Sequence, residues 1–216
     1  VGFQEVWDEP ALKAAVAQSG LRYAHVLAPG AESGAIGTPR LGLATRLALE
    51  SVEAVQDFAP REQVPIPEIG LHTRFERPIL KAALRTKQGV TVHVLVAHLK
   101  SKRPKYLQDA AGNALEDRDD PVVTVRACMR SLLMRAAEAA ALRGLVVQLT
   151  SRTRDPLILL GDMNDSPHSV TSKMIAATLA ALTGTSRAER GEPIPLALIE
   201  GLSGPFANAG EAVWRN

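Results

Sequence analysis

Residues 157–166 read LILLGDMNDS: four apolar residues and a glycine, then Asp162, Asn164 and Asp165 within four positions. The apolar run has the length and composition of a buried strand. The polar cluster lies where that strand should leave the core, and ligand sites in α/β sheets collect at strand ends. Side chains alternate along an extended backbone, so Asp162 and Asn164 can point the same way. Asp162 can accept a proton from water, while Asn164 can orient that water or donate to a developing oxyanion. Ordinary turn chemistry, with both side chains bonded to nearby backbone, is the competing reading of these residues.

A second stretch ends in the same manner. GVTVHVLVAHLKS, residues 89–101, places Val90, Val92, Val94 and Val96 on one face and Thr91, His93, Leu95 and Ala97 on the other. Both faces are mostly apolar, which predicts a central strand covered on both sides. His98 stands at its C-terminal end. If the two strands share a sheet, His98 and Asp162 share one rim; a surface histidine capping a strand is the alternative. His93, mid-strand, reads as a core or supporting residue, and His25, His72 and His168 have no supporting context.

Glu5, within GFQEVW (residues 2–7), is the third candidate. An acid in an apolar strand is costly unless it is paired, exposed or bound to a metal. A Glu–Asp set of oxygen ligands suits Mg²⁺, which keeps several waters and takes one or two carboxylates. An edge-strand acid facing solvent is the plainer reading. No HExxH, CxxC, GxSxG or P-loop pattern is present to suggest another chemistry.

The remaining segments set the fold class. VGFQEVW, RYAHVLA and LGLATR read as strands, and PALKAAVAQSG as a short helix closed by Gly20. RPILKAALRT joins the His98 strand through TKQG, a hairpin turn. Residues 60–72, with Pro60, Pro65 and Pro67, read as a loop or edge segment. Residues 100–120 form a long polar loop, basic at its start (Lys100, Lys102, Arg103, Lys105) and acidic at its end. Asp120 before Pro121 predicts a helix start, and the helix runs to Thr150 with Arg126, Arg130 and Arg143 expected to face solvent. Gly144 within it marks either a close packing point or a slight break. SVTSKMIAATLAAL (169–182) reads as a short helix, and the last 30 residues suggest no element. Strands, a long crossover helix and further strands give an α/β architecture with a mixed sheet.

The 216 residues, 46% hydrophobic and 22% charged, fit one globular domain and exclude a disordered chain. No apolar run reaches the about 18 residues of a membrane span. A net charge of +2 argues neither for nor against a polyanionic substrate. Cys128 is the single cysteine, so there is no intrachain disulfide and no thiol metal cluster. That usage favours the cytoplasm and leaves secretion open, and a monomer is expected.

QEVW, VAHLKS and GDMND, in this order, resemble the motifs of the endonuclease/exonuclease/phosphatase superfamily, whose members have the DNase I-like fold. The resemblance implies a four-layer α/β sandwich with mixed, mostly antiparallel sheets. It implies Glu5 as ligand of a divalent metal, Mg²⁺ or Mn²⁺, and His98, Asp162 and Asn164 as catalytic residues. LGLATR and FERPIL are similar to two further strands of the family, which adds Arg77 as a site-lining residue. Lys100 and Ser101 of VAHLKS become phosphate-binding candidates, and the cations at 100–105 would attract a polyanion. The implied activity is hydrolysis of a phosphodiester, most readily in DNA, with nucleic acid or another phosphodiester as partner. Phosphomonoester or phospholipid hydrolysis, or a noncatalytic phosphate-binding module, are the alternatives. The family also carries an Asn-bearing strand ahead of QEVW and an Asp-His pair well after GDMND. No Asp follows Asp165, and the sole later histidine is His168. The expectation is therefore a single domain over 1–216 without that first strand and without the Asp-His strand.

Overall fold

In the computed structural model the described residues are 1–30, 39–151, 153 and 155–176, with the backbone of 196–198. The elements run β1 (Gly2–Val6), α1 (Glu9–Gln18), β2 (His25–Leu27), β3 (Arg40–Thr45), β4 (Ala48–Asp57), β5 (Val64–Ile66), β6 (Gly70–His72) and β7 (Arg74–Arg85). They continue with β8 (Thr91–His98), α2 (Pro121–Thr150), β9 (Leu157–Asp162), α3 (Val170–Ala176) and β10 (Leu196–Leu198).

One sheet has the order β10-β9-β8-β7-β4, a second has β1-β3-β2, and β5-β6 form a small separate hairpin. In the large sheet β9 runs parallel to β8 and to β10, while β7 runs antiparallel to β8 and to β4. The mixed character follows from local chemistry. Gly89, at φ +82°, closes the tight β7–β8 turn and donates its N–H to Thr86 O at 3.0 Å. The β8–β9 connection is instead a crossover through α2, which returns the chain in the parallel sense.

The two faces of β8 are both buried, as its apolar alternation predicts. Val94 and Val96 pack with Leu80, Ala82, Leu41 and Leu43 between the sheets. Leu95 and Ala97 pack with Ala137, Leu142 and Val146 of α2 and with Ile175 of α3. On the outer side of the small sheet, Leu12 and Val16 of α1 cover Val6 and Ala28. The layers are thus α1, the small sheet, the large sheet, then α2 with α3: the expected four-layer α/β sandwich. Asp120 caps α2 by accepting from Val122 N at 2.7 Å, with Pro121 in the first turn. Gly144 is a close packing point and not a break, since a Cβ there would collide with the Glu62 carboxylate.

Four expectations change. β4 has no counterpart in the sequence reading, yet it pairs with β7 along most of its length. Residues 60–72 are a 3-10 turn at Pro60–Glu62 and the β5–β6 hairpin. Arg130 does not face solvent: it is fully buried and ion-paired to Glu68 and to Glu116. Its place on the packed face of α2 leaves the guanidinium no route to water, so two acids come to it. Arg126, by contrast, keeps a half-exposed side chain. The final 30 residues supply β10, in parallel register with β9 through Leu196↔Leu157. Residues 177–182 of the predicted helix, and the question of a last Asp-His strand, fall outside the described residues.

Candidate active site

The parallel register between β8 and β9 places His98 directly beside Asp162 and Ala97 beside Gly161. The two strand ends singled out in the sequence therefore form one rim. His98 Nε2 lies 3.7 Å from Asp162 Oδ2. His98 is buried, whereas about half of the Asp162 side chain remains exposed (52%). Burial holds the His98 imidazole below its ordinary pKa, and the Arg77 guanidinium lowers it further. The carboxylates of Asp162 and Glu5 oppose that shift without reversing it. At neutral pH the ring is neutral, and its Nδ1 is buried without a hydrogen-bond partner.

Gly161 is what lets the two strand ends come this close. Its φ of +135° is outside the range of L side chains, and a Cβ would overlap the Ala97 carbonyl. Beyond it the chain turns through Asn164 at φ +52°. The Asn164 N–H donates to Asp162 Oδ1 at 2.8 Å, and Asn164 Nδ2 donates to Leu99 O at 2.8 Å. Leu99 O also accepts from Arg77 Nη1 at 3.3 Å. A single carbonyl just past β8 thus ties β7 to the β9 loop. The turn-chemistry reading of GDMND holds for one Asp162 oxygen, which accepts from the Asn164 N–H, while one Asn164 amide hydrogen is spent on Leu99 O. Asp162 Oδ2, Asn164 Oδ1 and the second amide hydrogen remain for a ligand.

Glu5 reaches the same rim through a bulge. The β1–β3 register shifts between Phe3 and Val6, and Glu5 within that interval sits at φ +53°. Bulges re-aim side chains at sheet edges, and the Glu5 charge is felt at His98. Among the described residues no three or more His, Cys, Asp or Glu side chains cluster to hold a metal by themselves. The exposed Glu5 carboxylate is an oxygen donor of the kind that suits a hard cation keeping much of its water.

Lys100 and Ser101 stand apart from this group. Lys100 is buried, 6% exposed, with Nζ at 3.8 Å from Glu76 Oε2 and 3.4 Å from Ser101 Oγ. Burial lowers its pKa, with Glu76 acting against that. Lys100 is thus enclosed and not part of the open basic loop, whereas Lys102, paired to Asp165 at 2.9 Å, and Arg103 stay exposed. Asp165 ties its loop to α3 and to the basic loop. Burial would raise its pKa, but hydrogen bonds from Thr171, Lys102 and Ser166 N hold it well below the usual carboxylate range. Arg135 of α2 approaches it at 3.4 Å.

The sequence reading missed Glu138. This α2 residue is 1% exposed, and its carboxylate accepts from Glu76 N at 2.8 Å and from Lys100 N at 2.6 Å. Those amides flank Arg77 and Leu99, so Glu138 fastens the ends of β7 and β8 where their own ladder stops. Burial pushes its carboxyl up to about 7, against the two amide donors that favour the charged form. Its signal was its phase: it continues the buried helical stripe from Met134 to Leu142.

A search of curated proteins gave no match. Among solved structures, the chain is similar to the human nocturnin catalytic domain with bound sulfate, at 17% identity and a TM-score of 0.51. That likeness covers 89% of this chain and 62% of the nocturnin domain. Further similar structures are ANGEL2, a 2′,3′-cyclic phosphatase (17% identity, TM-score 0.48, 89% and 49% covered), and a sphingomyelinase. The latter, sphingomyelinase C from Streptomyces griseocarneus, is 16% identical at TM-score 0.48, with 84% and 56% covered. The chain spans less than two thirds of each of these structures, and the nocturnin likeness speaks for the fold alone. The family is settled by sequence: matching the Endonuclease/Exonuclease/phosphatase family model over residues 1–213, the chain belongs to that family.

Proposed function

We propose that the protein is a divalent-metal-dependent hydrolase of phosphodiesters, acting most readily on DNA. Family members are phosphoric-ester hydrolases that generally use divalent metals. The observation that carries the reading is the convergence of His98, Asp162, Asn164 and Arg77 around one rim, with the Glu5 carboxylate acting electrostatically on His98.

In this reading the phosphorus atom lies over the rim and water attacks in line with the leaving oxygen. Asp162 Oδ2, free of the turn, takes the proton from that water. Asn164 holds the water or a non-bridging oxygen through its uncommitted amide atoms. The neutral His98 donates from Nε2 to the phosphoryl oxygen, and Arg77 supplies a fixed positive charge beside it. Glu5 would hold Mg²⁺ (or Mn²⁺), which when bound neutralises non-bridging charge and stabilises the leaving oxygen. Glu138 touches no substrate; it positions Arg77 and Leu99 through the flanking amides.

The test is hydrolysis of plasmid DNA and of bis(p-nitrophenyl) phosphate by the purified protein with Mg²⁺ or Mn²⁺. Turnover that vanishes in EDTA and returns on adding metal is the expected result. Turnover undiminished by EDTA, or no turnover of either ester, overturns the assignment.

A further inference from the structure

Beside the rim, and sharing Arg77 with it, lies a cleft of about 570 Å³. It opens between the start of β3, the end of β4 and the start of β7, with Met134 of α2 also in its lining. Three arginines line it, Arg40, Arg74 and Arg77, against one carboxylate, Glu76. That carboxylate already faces the Lys100 ammonium at 3.8 Å. His72, also in the lining, is buried, and burial lowers its pKa, so at neutral pH it contributes no charge of its own to the cleft.

The guanidiniums are not consumed by structure. Arg74 is exposed and has no hydrogen-bond or ion-pair partner among the described residues. Arg40 commits only Nε, donating to Gly30 O at 3.1 Å. Arg77 spends Nη1 on Leu99 O, and its Nε is buried without a partner. Three guanidiniums against the Glu76 carboxylate, with Asp57 across the ladder from Arg74, leave this concave site with an excess of positive charge, which marks a place for a ligand of opposite sign. Guanidinium forks match the oxygens of a phosphate. The volume falls within the about 300–1,000 Å³ of small-molecule sites, so a nucleotide-sized group fits.

Resting on the phosphoesterase reading above, we propose that this cleft is a second-phosphate subsite. While one phosphate is at His98 and Asn164, the next phosphate of the same substrate sits between Arg40 and Arg74, and Arg77 stands between the two. The subsite selects substrates that carry a further phosphate beside the scissile one. It disfavours phosphodiesters with an amine or quaternary ammonium group, which would meet three guanidiniums.

Two esters differing by one phosphate test this: thymidine 5′-(p-nitrophenyl phosphate) and the same ester bearing a 3′-phosphate. A third ester, with that 3′-phosphate joined to another nucleoside, separates a terminal from an internal second phosphate. The 3′-phosphate is expected to lower KM about tenfold, the effect of adding charge-assisted hydrogen bonds. In Arg74→Ala and Arg40→Ala the KM ratio of the two esters should fall close to one. Arg61→Ala, on the 3-10 turn that packs near Gly144 of α2, should leave that ratio unchanged.

A binding measurement separates failure of the subsite from failure of the phosphoesterase reading. By calorimetry, thymidine 3′,5′-bisphosphate should bind about tenfold tighter than thymidine 5′-monophosphate, and Arg74→Ala should remove the difference. If neither ester is cleaved but this preference holds, the subsite stands and the hydrolase reading falls. Equal affinities for the two nucleotides, or a preference that survives in both arginine variants, overturns the subsite.

Discussion

The strand pair β8–β9 carries a histidine–carboxylate pair at each end, and the two pairs have the same separation. His98 Nε2 is 3.7 Å from Asp162 Oδ2, and at the far end His93 Nε2 is 3.7 Å from Asp155 Oδ2. Distance therefore does not tell a site from a surface contact. The surroundings do. At the near end Arg77 and Asn164 share the Leu99 carbonyl, Glu5 is carried in by a bulge, and Gly161 allows backbone contact that no other residue permits. At the far end the residue beside His93 is Leu157, an ordinary core side chain 1% exposed. The proposed centre differs from its look-alike in the backbone devices that assemble it.

The largest way to break this contrast is Gly161→Ala. The added methyl meets backbone atoms of Ala97, which cannot swing aside as a side chain could, and φ +135° is strained for alanine. A loss of about 4 kcal/mol or more, or failure to fold, is expected in urea unfolding. A variant within about 1 kcal/mol of wild type would show that the rim does not depend on this contact.

Next in size is Asp162→Ala, which removes the proposed proton acceptor and the carboxylate that accepts the Asn164 N–H. Turnover of bis(p-nitrophenyl) phosphate should fall by about 10²–10⁴, the range for removing a general base. A fall of less than about threefold would transfer the role to another group.

The near end was readable because its signals are local. Apolar runs ending in His98 and in Asp162–Asn164 are anomalies within a few residues of sequence, and one register joins them. Other parts were legible only through partners distant in the chain. β4, ALESVEAVQD, is largely exposed and rich in helix-forming residues. It becomes a strand through β7, where Glu53 meets Lys81 and Glu50 meets Arg85 across the ladder. Arg130 and Glu138 were misjudged or missed because charge was weighed above helical phase. Both lie on the stripe of α2 that the sheet buries, and their partners come from other elements: Glu68 and Glu116 for one, the amides of Glu76 and Lys100 for the other.

Glu138 gives a third, smaller effect with a defined pH signature. Its carboxyl rises from an ordinary 4.5 to about 7 on folding. Below pH 4.5 the group is protonated in both states and costs nothing. As pH climbs toward 7 the unfolded chain ionises it while the folded chain resists, so stability is lost through that window and then levels off. The loss is about 3 kcal/mol at most, from about 1.4 kcal/mol per unit. Glu138→Gln cannot titrate, so the stability difference between wild type and variant should shrink as pH rises from about 4.5 to 7. A difference independent of pH would mean that Glu138 is ionised throughout.

The smallest effect belongs to the far end, and it carries the most weight for the comparison. His93 Nε2 and Asp155 Oδ2 repeat the spacing of the rim pair, but among the described residues no arginine or asparagine side chain is bonded around them as Arg77 and Asn164 are around Leu99. Asp155 is partly exposed, with 39% of its side chain accessible, so an ion pair with it is screened and contributes little. Asp155→Asn should therefore leave turnover within about twofold and stability within about 0.5 kcal/mol. If turnover instead fell as it does in Asp162→Ala, the pairing of histidine with carboxylate would itself be the functional element. The convergence of Arg77, Asn164 and Glu5 would then be incidental, and the choice of the near rim as the catalytic one would lose its physical basis.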